Sequence, residues 1–403
     1  MYSIASFKKA AFTIALLSIC MACGNNASTD QADTNKPAAD TLSNKDTVAL
    51  STPPPRPVHA YYNSIMNFIS GRSGAAISFQ IDTADFNSYS SELAANMAKI
   101  EENRLFKVRD WYANVLKSNS RNDSLPVFYP FSGGDFLHIN YMYPNAKEYV
   151  MMAIEQVGYF PDMDSMGIED KTRLLKDVNY NMRDIFNKSY FITKNMHSDL
   201  RSRKLITGMI LPIVWGIGVT GHEILDIQDA SLNDSGKVVL TPINERDHKF
   251  TKGVHITFRK KGELLEKTVT YFAVDISDEG FEKDQPLVKY LESKGPYNSF
   301  LKAASYLPHY RTFNGIRSNI LTKTVNHVQD DTGIPYKYFE PSVFTAKVYG
   351  KYTKPVADFN PNLFQTDLAR AYRDSVIYGG RLDFSMGYHW ASDEQNELVF
   401  MRK

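Results

Sequence analysis

Between residues 91 and 117 the positions Leu93, Met97, Ile100, Arg104, Val108, Trp111 and Val115 recur at spacings of three and four. That is the signature of one helical face. Residues 63–70 also read as helix. Residues 125–133 read as a strand ending in a glycine turn, 135–143 as a short helix stopped by Pro144 and Asn145, and 148–158 as a buried strand rich in Val, Met and Ile. Strand, helix, strand with short loops predicts a βαβ unit. A charge-rich helix is expected over 170–203 and an uncharged segment over 205–220. The latter is too short, and too rich in Gly and Pro, to span a bilayer. Strand patterns then come at 224–232, 237–243, 253–260 and 267–276, with turn sequences around Asn233 to Gly236 and Lys261-Gly262. Residues 286–307 and 313–325 return to helix, and short strands are expected at 327–329, 345–352, 382–388 and 397–401. The alternation predicts an α/β or α+β fold in which helices flank a mixed sheet. No linker composition interrupts residues 58–403, so a single compound domain is expected there.

The first 57 residues read differently. Lys8 and Lys9 precede an uncharged run over 10–19, the order of a secretory signal. The chain's only cysteines, Cys20 and Cys23, form a CxxC at the end of that run. A redox CxxC belongs in a strand-to-helix context, which is missing here. Ala22-Cys23-Gly24 resembles the cleavage junction of the bacterial lipoprotein signal, although Cys20 and Met21 depart from the usual Leu and Ser/Ala. The resemblance implies residues 1–22 as signal peptide, an acyl (palmitate-type) membrane anchor at Cys23, and a place in the cell envelope. Gly24 stands where an inner-membrane protein would carry aspartate, which implies the outer membrane with the domain facing the periplasm. Residues 24–57 hold no aromatic residue and end in Pro53-Pro54-Pro55. They cannot bury enough apolar surface to offset chain entropy, so residues 23–57 are expected to act as a disordered tether spanning about 30–35 Å.

The formal net charge of +1 offers no basic face for nucleic acid, and two cysteines cannot supply a structural zinc set. The expected partners are the membrane and a small-molecule or envelope ligand. No cofactor and no metal site is singled out. Aromatic residues make up 13% of the chain, which suits a large core or a binding surface.

Three motif matches carry little. Residues 216–221 spell GxGxxG, but the apolar run before them suits a helix and the segment after them a strand, the reverse of a dinucleotide loop. Ser299 to Lys302 spell SxxK without the downstream motifs of penicillin-binding enzymes, and read as a surface helix turn. His222 to Asp226 resembles HExxH with aspartate last, in a segment expected to be extended.

Two stretches carry more. Tyr129 to His138, YPFSGGDFLH, lies where a strand becomes a helix, and crevices in open α/β sheets form there. Asp135 and His138 can meet across one helical turn, or Asp135 can cap the helix while His138 packs. Ser132, Gly133, Gly134 and, from the next strand, Glu155 are expected to contact a ligand. Ser132 lacks the elbow of a hydrolase nucleophile. Gln329 to Pro335, QDDTGIP, places Asp330 and Asp331 after a strand, where they could act as acid and base or simply form a turn. Gln329 is a further ligand contact, and His309, Arg311, Arg317 and His327 could supply counter-charge. From about residue 125 onward the two stretches together resemble an uncharacterised bacterial family of secreted and lipoprotein sequences, a resemblance that implies no activity. The functional expectation is a ligand-binding or accessory envelope protein, with an envelope hydrolase using Asp330, Asp331, Asp135 and His138 as the alternative.

Overall fold

The computed structural model describes residues 55–191, 205–245, 252–390 and 395–403. The signal peptide, Cys23, nearly all of the expected tether and residues 192–203 lie outside the described residues; the helix expected over 170–203 ends earlier, at Lys188, where Ser189 takes a left-handed φ of 71°. Residues 54–403 form one compact unit. Among the described residues no helix is long and apolar enough to cross a membrane.

Among the described residues, eleven strands build one mixed sheet. In chain order they are β1 (Val127–Pro130), β2 (Glu148–Ala153), β3 (His222–Leu232), β4 (Val238–Pro242), β5 (Lys252–Lys260), β6 (Glu266–Ala273), β7 (Tyr297–Leu301), β8 (Thr324–Gln329), β9 (Thr345–Gly350), β10 (Tyr378–Gly380) and β11 (Glu397–Arg402). Their spatial order is β10-β9-β11-β8-β7-β1-β2-β6-β5-β3-β4. The middle five, β8-β7-β1-β2-β6, run parallel. The expected meander continues the sheet antiparallel on one side, and β11 bridges β8 and β9 on the other. Strands β1 and β7 are buried along their whole length, as parallel strands covered on both faces must be.

Helices cover both faces. On one, the helix Phe136–Met142 joins β1 to β2, and Phe136 packs edge-on against Tyr149 and Phe258, with ring centroids 5.5 and 5.3 Å away. The apolar helix Ile210–Val219 lies over it; a Cβ at Gly216 would stand 3.3 Å from the Phe136 ring, and one at Gly218 would stand 2.8 Å from the Ser70 hydroxyl. The GxGxxG stretch thus ends a helix that must approach its neighbours closely. On the other face, Leu287, Tyr290, Leu291, Ile316 and Ile320 of the helices Gln285–Ser293 and Asn314–Lys323 form a second core.

The long helical face expected over 91–117 is present, starting at Thr83, with two π turns inserted at Glu101–Leu105 and Tyr112–Leu116. Each π turn takes an extra residue per turn and so rotates the remainder of the helix about its axis. Leu116 is therefore buried and Val115 only half-buried. Arg104 stays on the buried face.

Two expectations are corrected. Residues 297–301, read as part of a helix, are the central strand β7: the helix stops at Ser293, and Gly295-Pro296 separates the two. Ser299 and Lys302 therefore do not share a helical turn, and neither lies on the surface. Residues 382–388 are not a strand. Leu382, Phe384 and Met386 are alternately buried, as in a strand, but the segment joins no strand ladder among the described residues: the Leu382 and Phe384 carbonyls accept from the Asn396 side chain, and the segment ends in a short 3₁₀ turn at Gly387–His389. His222 and Asp226 lie in extended β3, about 13 Å apart at the rise of a strand. They bond instead to Thr220 and Arg56.

Candidate functional site

In the parallel core, β1, β2 and β6 succeed one another outward in one direction, and β7 and β8 in the other. The order reverses between β1 and β7, and loops that leave such a point in opposite directions open a crevice at the carboxyl ends of the strands. Here the loops after β1, β2, β6 and β7 contribute Phe131, Ser132, Gly133, Ile154, Glu155, Val274 to Ile276 and Lys302 to Ser305 to one cleft of about 650 Å³. Lys188, Tyr190, Phe191, Phe313, Asp358, Phe359 and Tyr388 complete its walls.

Asp135 stands at the reversal point and is 2% exposed. It caps the helix Phe136–Met142 by accepting the backbone N–H of His138 at 3.3 Å. The same Oδ1 accepts the His138 Nδ1–H at 2.8 Å, while Oδ2 accepts the Tyr129 hydroxyl at 3.1 Å and the Lys302 ammonium at 2.5 Å. Burial alone would raise the pKa of Asp135; His138 and Lys302 overcome it and hold the carboxyl down to about 2. Lys302, equally buried, also donates to the carbonyl of Ser189, the left-handed cap of the helix Ile168–Lys188. A cation at a helix C-terminus is favoured by the unpaired carbonyls there. Burial, helped by the nearby charges of Lys302 and Arg104, pushes His138 down to about 4 against the pull of Asp135. Its Nε2 is buried without a partner among the described residues, so the ring is neutral and donates through Nδ1.

After β7 the chain takes left-handed φ angles at Ala303, Ser305 and Tyr306 (55°, 54° and 57°). Each costs a non-glycine residue about 1–2 kcal/mol, so neighbours must fix them. Asp330 Oδ2 accepts the Ala303 N–H at 2.8 Å, Thr332 Oγ1 accepts that of Ala304 at 2.8 Å, and the Ser305 and Tyr388 hydroxyls lie 2.6 Å apart. Asp330 Oδ1 also accepts from the Thr332 backbone and hydroxyl, the turn expected of Asp-Thr-Gly.

Asp331 belongs to a separate centre. His389 Nε2 lies 3.1 Å from Asp331 Oδ1 and 3.0 Å from Glu397 Oε1, and the Tyr306 hydroxyl donates to Asp331 Oδ2. Burial opposes charge on His389, but its bonds to both carboxyl groups outweigh that and raise it to about 11. Burial and the charge of Asp331 push Glu397 well above the carboxylate range.

Of the residues expected at a site, Ser132, Gly133, Asp135 and Glu155 line the cleft together. The other five do not line it. Gly134 packs its backbone on Pro212, His138 stands behind Asp135, and Asp330 stands behind Ala303. Asp331 turns to His389. Gln329 is fixed by the Ile334 N–H and by His327, whose Nδ1 meets the Ser299 hydroxyl at 2.7 Å. Among the expected counter-charges, His309 Nε2 reaches the Asp331 carbonyl at 3.3 Å, while Arg317 bonds to the Pro308 carbonyl at 2.6 Å. Lys302, Tyr129, His389 and Glu397 were not singled out for these roles. The sequence signal for Lys302 was a lysine directly after a short apolar run; for Glu397 it was an acid opening one.

The buried histidines make a pH prediction. His138 and His327 are both pushed down by burial to about 4 from an ordinary 6.5. The unfolded chain takes up a proton on each as pH falls through 6.5, and the folded chain does not. Stability present at neutral pH is therefore lost between about pH 6.5 and 4, at up to ~1.4 kcal/mol per pH unit per histidine. Glu397 and Asp330, both raised by burial and by Asp331, act in the opposite sense over this window, so the check is the difference between variants: thermal melting across pH 7 to 4 is expected to fall more steeply for the wild type than for His327→Gln, and parallel profiles would contradict the assignment. Compared with protein-family models, curated proteins and solved structures, the chain matches none.

Proposed function

We propose that this protein is a cell-envelope lipoprotein, anchored through Cys23, whose domain binds a small organic molecule in the cleft at the β1/β7 reversal. The volume suits a ligand of that class, since such sites run from about 300 to 1,000 Å³ and are mostly apolar with a few placed polar groups. Tyr129, Phe131, Phe191, Phe313, Phe359 and Tyr388 offer flat apolar faces.

The observation that carries the reading is Glu155. It is 4% exposed and lines the cleft, and its carboxylate has no hydrogen-bond partner among the described residues. Lys302 does not neutralise it, being held by Asp135 and Ser189. Among the described residues the cleft carries four acids, Asp135, Glu155, Asp275 and Asp358, against Lys188 and Lys302. That balance disfavours phosphates and carboxylates. It favours a ligand with an aromatic or aliphatic body and an ammonium or N–H group directed at Glu155. The hydrolase alternative needs free carboxylates facing a substrate. Asp330 and Asp331 are not among the described residues that line this cleft, and their oxygens already accept from the chain, which favours binding over hydrolysis.

Aromatic primary amines are expected to bind the full-length protein, and matched aromatic carboxylates are not. Glu155→Gln is expected to weaken amine binding about 10- to 100-fold, the range for a hydrogen bond to a charged group, with the melting temperature kept. Calorimetric titration checks this; preference for the carboxylates, or an unchanged Glu155→Gln affinity, would exclude the reading. For the anchor, Cys23→Ala is expected to abolish acyl labelling and release the protein from membranes, measured by fractionation with a radiolabelled fatty acid. Continued labelling and retention would contradict it.

A further inference from the structure

The centre at Asp331 lies at the end of β8, within reach of the 3₁₀ turn Gly387–His389 and the start of β11. The side chains of Asp331 and Glu397 are fully buried and that of His389 nearly so. One donor atom from each of the three lies within 4.8 Å of the other two. We propose that Asp331, His389 and Glu397 bind one divalent transition-metal cation, with zinc the best match.

The geometry favours a cation over a simple ion-pair triad. A single imidazole nitrogen faces two carboxylate oxygens at nearly equal distance, 3.1 and 3.0 Å. One N–H cannot point well at both. One metal can be shared by all three, since ligands about 2.0–2.1 Å from tetrahedral zinc lie ~3.3–3.5 Å from one another. A second observation is independent of those contacts: Glu397 Oε2 is buried with no hydrogen-bond partner among the described residues. An acid buried in a dry site with an unpartnered oxygen is costly whether it holds its proton or gives it up, and a cation at the same carboxyl group would remove that cost. The surroundings have the form of a metal site's outer shell, in which partners orient the ligands. The Tyr306 hydroxyl donates to the remaining oxygen of Asp331, and Gln365 and His309 hold the Asp331 carbonyl. One imidazole with two carboxylates selects zinc, manganese or iron over calcium and magnesium, which take oxygen-only shells. The cation would tie β8, β11 and the 387–389 turn together behind Tyr388, which lines the cleft. The proposal does not depend on what the cleft binds.

The test is metal content of the full-length protein, purified in detergent without chelator and without a histidine tag, then dialysed against micromolar ZnCl2. About one zinc per chain is expected. Chelation should lower the melting temperature by several degrees and zinc should restore it. His389→Gln and Glu397→Gln should lose the metal. Tyr306→Phe, which removes only an outer hydroxyl, should bind about 10-fold more weakly, so the proposal stays testable if the ligand variants fail to fold. Wild-type protein holding under about 0.1 equivalent of zinc, and likewise of manganese or iron, would overturn the proposal. So would folded His389→Gln or Glu397→Gln protein that retains the full equivalent, which would mean adventitious metal elsewhere.

Discussion

A buried ion pair sits where the sheet reverses direction. Asp135 and Lys302 each have side chains 1% exposed and meet at 2.5 Å. Removing two charges from water costs several kcal/mol per ion, and only close geometry with further hydrogen bonds offsets it. Both conditions hold. Asp135 accepts from Tyr129, from His138 and from the first turn of its own helix, and Lys302 reaches the Ser189 carbonyl. The pair therefore joins the loop after β1, the loop after β7 and the end of the helix Ile168–Lys188. Those three elements carry much of the cleft's floor and wall.

The two carboxylate stretches divide the work around that joint. Asp135 sets the floor. Asp330 and Thr332 clamp a left-handed loop whose conformation would otherwise be costly, and so aim Lys302 and Ser305 inward. Strained backbone of this kind collects at binding and catalytic sites because the surrounding structure over-determines it. Asp331, one residue on, faces away into its own polar centre with His389 and Glu397. Adjacent aspartates after a strand thus serve two different structures.

The βαβ unit, the antiparallel meander and the helices with strong 3.6-residue patterns were legible because local periodicity sets them. Asp135 and His138 were legible as a pair for the same reason, since three residues make one helical turn. Both readings of that pair hold at once: Asp135 caps the helix, and it also binds the His138 ring. Contacts that depend on distant partners were not legible. Strand β7 carries the apolar run of a short helix, and only its neighbours β1 and β8 make it a strand. Lys302 lies 167 positions from Asp135, and His389 and Glu397 lie 58 and 66 from Asp331. The segment 382–388 has a strand's alternation, but its Leu382 and Phe384 carbonyls accept from the Asn396 side chain, a partner the local pattern does not show.

If the Asp135–Lys302 pair organises the cleft, the two residues must be energetically coupled. A double-mutant cycle by denaturant unfolding measures this directly, using Asp135→Asn, Lys302→Met and the double variant. Each single change strands a buried charge and is predicted to cost about 3–5 kcal/mol. The double variant is predicted to lose at least ~2 kcal/mol less than the sum of the two. Single costs below about 1 kcal/mol, or costs that simply add within ~0.5 kcal/mol, would contradict the account.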